Sequence, residues 1–264
     1  AEKRATSVYL VDRTIPMLPE HLCNGICSLR PNEEKLAYSC IFEMDDNANI
    51  INHRIRKTVI KSDRRFTYEE AQEIIETGKG DYAEEVLTLD RLAKALRKRR
   101  FEHGSVNFDR FEVRFEIDET GHPISVYFKV SKDANKLVEE FMLLANKQVA
   151  TDIGNPGGRK KAKPFVYRIH DNPDPDRMTN FAEIANRFGY KVRTTGKRTD
   201  INNSLNKMLS SVKGKPEENL LSILAIRSMS KAVYSTVNVG HYGLAFDYYT
   251  HFTSPIRRYP DMMV

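Results

Sequence analysis

The chain has 264 residues, 40% of them hydrophobic and 30% charged, with a mean hydropathy of −0.54; that is enough for one large domain or two small ones. It carries no run of about 18 apolar residues, which excludes a membrane-spanning helix, and its polar start, Ala1-Glu2-Lys3-Arg4, reads as no signal peptide. A net charge of +6 and a pI near 9.1 favour a polyanionic partner, while Cys23, Cys27 and Cys40, without a CxxC pair, exclude a disulfide frame or zinc site and read as reduced thiols of a soluble, cytoplasmic protein.

In chain order, Val8 to Val11 reads as a short strand, and Pro16 and Pro19 keep Ile15 to Glu20 extended. Leu36 to Met44 and Ile50 to Ile60 read as two strands joined at Asp45-Asp46-Asn47. Those adjacent aspartates are turn residues, not a metal pair. The second strand and its sequel carry Arg54, Arg56, Lys57, Lys61, Arg64 and Arg65, which line a basic channel or form a solvated sheet face. Thr67 with Glu70 predicts a capping box, so a helix runs from Tyr68 to about Glu76.

Asp81 to His103 predicts a long helix with Val86, Leu89, Leu92, Ala93 and Leu96 on one stripe. Lys98, Arg99 and Arg100 suit its C-terminal dipole, and Gly104 stops it. Phe111 to Ile117 and Ile124 to Val130 alternate as a β-hairpin. Asp133 to Ala150 is an amphipathic helix whose Glu139 and Asn146, seven apart, share a face. Phe141, Leu143 and Leu144 make that helix largely buried, so Glu139 needs a partner. Asp152 to Pro164 reads as a basic loop and Phe165 to His170 as a strand. Asp176 to Phe188 and Asn202 to Val212 read as helices, and a longer one is predicted from Pro216 through about Tyr234. The loops are short, and no linker divides the chain.

The most informative stretch is Gly240-His241-Tyr242-Gly243-Leu244-Ala245, then Tyr249-Thr250-His251-Phe252-Thr253-Ser254-Pro255-Ile256-Arg257-Arg258-Tyr259-Pro260-Asp261. Two glycines permit a turn and a close backbone approach to a ligand. Ser254 as N-cap and Pro255 at the first helical position predict a helix start with Arg257 and Arg258 in its first turn. Cations there oppose the helix dipole unless an anion joins them, so the corner reads as a phosphate site or else a capped surface helix. Asp261, four residues after Arg257, can hold one guanidinium.

This stretch resembles the signature of the ribonuclease II family, in its ribonuclease R-like branch. Ser7-Val8-Tyr9-Leu10-Val11-Asp12-Arg13, with Ile15 to Glu20 and Leu22 to Leu29, is a second similar block. Val138-Glu139-Glu140-Phe141-Met142-Leu143-Leu144-Ala145-Asn146 is a third, and the order is the family's. The resemblance implies an α+β fold of twisted, mostly antiparallel strands packed with several long helices. It also implies one partial catalytic domain over residues 1–264, shortened at both ends, lacking the flanking OB-fold domains. The missing initiator Met and the apolar end Met262-Met263-Val264 likewise read as a piece of a longer protein.

The activity implied is processive 3′→5′ hydrolysis of single-stranded RNA to 5′-mononucleotides. The resemblance makes Tyr9 and Phe108 (with Phe111 as competitor) the aromatics that stack on RNA, although Tyr9 among apolar neighbours also reads as core. Tyr68 becomes a ribose contact or a hydrophobic staple, and Glu139 an acceptor from a ribose 2′-OH. Arg257 is the catalytic candidate, because a guanidinium fork grips phosphate in two-pronged fashion. Arg258 serves a neighbouring phosphate or a structural carboxylate, and His251 an RNA contact. Mg²⁺ would be held by an Asp-rich motif upstream of the Tyr9 block. Asp171, Asp174 and Asp176 in their proline-rich loop, and Asp12 or Asp261 alone, offer no substitute. The expectation is therefore an RNA-gripping fragment, inactive alone, with no membrane and no obligate protein partner. A non-catalytic RNA-binding relative is the first alternative, and a protein whose arginine helix holds a small phosphate ligand is the second.

Overall fold

The computed structural model describes residues 2–107, 112–157 and 163–264. The chain forms two compact units. The first comprises Ala1–Leu96, Phe111–Val149 and His251–Val264, and the second Arg97–Arg110 and Ala150–Thr250. The fold is α+β, and every described ladder is an antiparallel pair.

In the first unit, β1 (Val8–Tyr9) pairs with β2 (Thr14–Ile15), shorter than the predicted strand. His21–Ile26 follows as a π-helix, which Pro19 does not prevent because its carbonyl accepts the Leu22 and Cys23 N–H groups. β3 (Glu34–Met44) and β4 (Ile50–Lys61) form the long hairpin expected from their patterns. Its turn closes as Asp45 Oδ1 accepts from the N–H groups of Asn47 and Asn49, at 3.0 and 2.7 Å. Asp46 pairs outward with Arg91 at 3.0 Å, as befits a turn residue. Arg54, Arg56, Lys57 and Lys61 are all exposed.

The helix α1 (Tyr68–Thr77) begins at the predicted capping box: Glu70 N–H donates to Thr67 Oγ1 at 3.1 Å and Thr67 N–H to Glu70 Oε2 at 2.7 Å. α2 (Ala83–Glu102) buries Val86 and Ala93 but leaves Leu89 exposed. β5 (Glu112–Ile117) and β6 (Pro123–Lys129) make the second hairpin, and α3 (Asp133–Gly154) runs four residues past the predicted end at Ala150.

The second unit is built on helices. α4 (Pro175–Arg187) starts at Asp174, whose Oδ1 accepts from the N–H groups of Asp176 and Arg177, a cap role for an aspartate already set aside as a metal ligand. α5 (Arg198–Val212) and α6 (Glu218–Ser228) complete a core around Phe181, Leu205, Met208 and Leu221. The long helix expected through Tyr234 is a correction: it ends at Ser228, and Val233–Ser235 becomes β8, paired with β7 (Tyr167–Ile169). Ser228 Oγ bonds back to Ala225 O at 2.7 Å, and Val233 and Tyr234 favour a strand once a partner edge is offered.

Candidate nucleic-acid interface

In the first unit, the predicted helix start at Ser254 is not formed. Residues 254–257 make a turn in which Arg257 N–H and Arg258 N–H both donate to Ser254 O, at 3.2 and 3.1 Å. The helix α7 (Tyr259–Met263) begins one turn later, with Pro260, not Pro255, inside its start. The arginines therefore do not lie in a helical first turn, and no dipole argument applies to them. What holds Arg258 is Asp261.

The Asp261 carboxylate is buried and accepts from Arg258 Nε at 2.9 Å, Arg258 Nη2 at 2.7 Å and Ser254 N–H at 2.8 Å. This fork pins both ends of the turn. Of the two roles open to Arg258, the structural carboxylate is the one the geometry shows. Arg257, the neighbour expected to take Asp261, instead projects from the turn, exposed, with Nη2 3.2 Å from Ser254 Oγ.

The N-terminal segment is stitched to this turn. Thr6 and Arg258 form an antiparallel bridge, Ser7 N–H and Thr6 Oγ1 donate to Arg257 O at 3.0 and 3.1 Å, and Tyr259 N–H donates to Ala5 O at 2.9 Å. Ser7 is buried and its Oγ accepts from Met17 N–H at 2.9 Å, which fixes the hairpin that follows. Tyr9 lies two residues beyond Ser7, hence within about 7 Å of it along the backbone, and the residue is 62% exposed. The core reading of Tyr9 is thus excluded, and its backbone follows on the Ser7 N–H that donates to Arg257 O. Nothing local in the sequence announces the bridge between residues 6 and 258.

A second anchor comes from α3. Buried Asn146 accepts from Phe252 N–H through Oδ1 at 2.9 Å and so fixes the segment entering the turn beside half-buried His251. Glu139 lies two turns earlier on that helix, about 10 Å along its axis. The expectation of a buried Glu139 is corrected: Glu139 is exposed, and the buried carboxylate is its neighbour Glu140, 3% exposed. A 100° step per residue carries adjacent side chains to different environments, and composition alone does not say which of two glutamates faces inward. Tyr68 makes a different set of contacts, half-exposed under Lys129, whose Nζ is 5.7 Å from the ring centroid. Phe108 and Phe111 lie outside the described residues.

The two glycines expected to approach a ligand belong to the second unit and have another task. Gly240 has φ +79°, and a Cβ there would lie 3.0 Å from Phe246 O. A Cβ on Gly243 would lie 2.9 Å from His170 Nδ1. That space is filled by the imidazole: Gly243 N–H donates to His170 Nδ1 at 3.0 Å, so the proton sits on Nε2, which donates to Ser230 O at 2.8 Å. Burial pushes the His170 pKa down, so the ring is held neutral.

Among the described residues no three His, Cys, Asp or Glu side chains converge as a metal site. The described residues thus offer no carboxylate cluster that fits Mg²⁺. No described helix is long and apolar enough to cross a membrane.

Arg257 and Glu139 are exposed, and so is Tyr9, two residues past the Ser7 N–H that donates to Arg257 O. The sequence matches the RNB domain over residues 1–264, and the chain belongs to that family, the family of the exoribonuclease ribonuclease R. It is 40% identical to ribonuclease R 1 of Lactococcus lactis over all of this chain and 32% of the relative. It is 39% identical to ribonuclease R of Aquifex aeolicus, again over all of this chain, which spans 37% of that relative. Mycoplasma genitalium RNase R in complex with ribose-methylated single-stranded RNA superposes with a TM-score of 0.88 at 27% identity, over 98% of this chain and 40% of that one. The complex of the same enzyme with double-stranded RNA gives 0.88 at 27% identity, over 98% and 46%.

Proposed function

We propose that this chain supplies the RNA-gripping part of a processive 3′→5′ exoribonuclease that hydrolyses single-stranded RNA to 5′-mononucleotides. One observation carries the reading: Asp261 takes up Arg258 and braces the turn, which leaves the Arg257 guanidinium exposed. A fork so placed grips a scissile phosphate. Tyr9 stacks on a base near it, worth ~1–3 kcal/mol, without sequence preference. Glu139 accepts from a ribose 2′-OH, which separates RNA from DNA. Tyr68, Phe108 and His251 are further RNA contacts, and Arg258 acts through Arg257 by fixing the turn. The similarity to ribonuclease R, including structures of that enzyme holding RNA, supports the reading.

Mg²⁺, in this reading, is held by carboxylates outside this sequence, and the chain alone does not cleave RNA; the parent works in the cytoplasm. Binding of a fluorescent single-stranded oligoribonucleotide tests the grip. Arg257→Ala is expected to weaken it about tenfold to a hundredfold, from the ~1.5–3 kcal/mol of a charge-assisted hydrogen bond, and to leave the melting temperature unchanged. Tyr9→Ala is expected to act in the same direction. Unaltered affinity in Arg257→Ala overturns the grip, and Mg²⁺-dependent decay of RNA by the purified chain overturns its inactivity.

A further inference from the structure

The second unit contains a cavity of about 910 Å³ in the groove between α4 and α6. That volume falls at the upper end of small-molecule sites, which run about 300–1,000 Å³. Ile184 of α4 and Leu224 and Ile226 of α6 line it with aliphatic surface, and all three are half-buried. Two helices that leave such residues in the groove between them offer a third helix a place to pack.

The charged part of the wall is all cationic. Arg168 of β7, Arg177 in the first turn of α4, Arg227 in the last turn of α6 and Lys231 just beyond it line the cavity. Among the described residues no Asp or Glu does so. The helix dipoles do not account for the set, because Arg227 suits the end of α6 but Arg177 opposes the start of α4. Arg177 Nε lies 3.8 Å from Asp174 Oδ2, a surface pair of little strength. The Arg168 guanidinium lies over the Tyr234 ring, 4.6 Å from its centroid. Arg227 and Lys231 are exposed, and among the described residues their side chains enter no ion pair or hydrogen bond.

Aliphatic surface beside four cations narrows the choice of occupant. A fatty acid brings aliphatic surface but one carboxylate for four cations. RNA brings the negative charge, but its bases need exposed rings to stack on. The rings of this wall do not supply them. Phe181 is 2% exposed, His170 is buried, and His241 packs edge-on against His170 and Tyr249, with centroids 5.0 and 5.2 Å apart. A peptide with Leu or Ile along one stripe and Asp or Glu beside it brings both the apolar surface and the several charges.

We propose that this cavity docks an acidic amphipathic helix of a partner protein, with its apolar stripe on Ile184, Leu224 and Ile226 and its carboxylates at Arg168, Arg177, Arg227 and Lys231. The mode is that of a helix laid in a groove, whose apolar anchors recur at i, i+3 or i+4 and i+7. The site shares no residue with Tyr9, Glu139 or the Arg257 turn, so it does not rest on the RNA-gripping reading. It assigns the second unit a protein-docking role.

Fluorescence anisotropy with the complete chain tests it. The probe is a labelled peptide of about 18 residues, long enough to hold a helix, with Leu and Ile on one stripe and Glu and Gln elsewhere. One control scrambles that sequence at the same composition and charge, and the other keeps the stripe but replaces every Glu by Gln. The striped acidic peptide is expected to bind at micromolar concentration, and each control at least about tenfold more weakly. Arg227→Glu combined with Lys231→Glu is expected to weaken it about tenfold or more and to leave the melting temperature unchanged, since both side chains are exposed. Ile226→Ser is expected to weaken it severalfold, with the folded fraction read by circular dichroism. Arg257→Ala should keep peptide affinity and lose oligoribonucleotide affinity, so the two readings fail separately. Equal binding of the scrambled peptide, indifference to the Arg227 and Lys231 double variant, or no binding at hundreds of micromolar overturns the proposal. An oligoribonucleotide that displaces the peptide, and whose affinity falls in the same double variant, assigns the cavity to RNA and overturns it as well.

Discussion

Gly240–Ala245 and Tyr249–Asp261 lie almost side by side in the sequence, and both look like ligand-binding motifs, yet they resolve in opposite ways. In the arginine turn, one cation is forked against a buried carboxylate, and the next is exposed beside the Ser254 hydroxyl. In the glycine loop, the small residues admit another side chain of the protein, the His170 imidazole, and its two nitrogens are both bonded to backbone. Two tyrosines repeat the contrast: Tyr9, in the segment bridged to the arginine turn, is 62% exposed, and Tyr242 is 5% exposed within the loop. A motif rich in glycine and arginine thus combines a part that builds scaffold with a part that meets a ligand. Only the second should respond to substitution by losing affinity without losing stability.

That contrast can be broken most sharply at Asp261. Asp261→Ala strips the partner from Arg258 and the acceptor from Ser254 N–H, and is expected to cost about 3–5 kcal/mol of stability, read by urea denaturation. Arg257→Ala, four residues earlier, is expected to cost less than about 0.5 kcal/mol, as for a surface position. Equal costs for the two variants would erase the distinction between brace and grip.

In the glycine loop, Gly243→Ala places a methyl 2.9 Å from His170 Nδ1. It is expected to destabilise by about 1–3 kcal/mol, as overpacking does, and to leave oligoribonucleotide affinity unchanged once the folded fraction is accounted for. A loss of affinity at full folding would restore the ligand-approach role read from the sequence.

The smallest effect is on pH dependence. His170 has a folded pKa below its unfolded value, because burial penalises the imidazolium and Gly243 N–H occupies Nδ1. Its contribution to stability is present above about pH 6.5, the ordinary histidine value, and is lost as pH falls through the lowered folded pKa. Denaturation midpoints should decline over that acid window, and His170→Gln should flatten this part of the decline. A midpoint that rises on acidification would contradict the neutral tautomer.

Much of the architecture was readable because its causes are local. Alternation set β3, β4, β5 and β6, and Thr67 and Glu70 three residues apart set the start of α1. The blocks around Tyr9, Glu139 and Arg257 carried the family, since side-chain identity at fixed spacing is a property of the sequence. What the sequence alone did not determine was who partners whom. Ser254-Pro255 satisfies every local preference for a helix start, but buried Asp261 draws Ser254 N–H and Arg258 into a turn instead. Glu139 and Glu140 are chemically alike, and packing chose which to bury. The bridge from Thr6 to Arg258 and the imidazole beneath Gly243 join residues far apart in the chain. Such contacts depend on desolvation and on three-dimensional proximity, and neither is written in a local pattern.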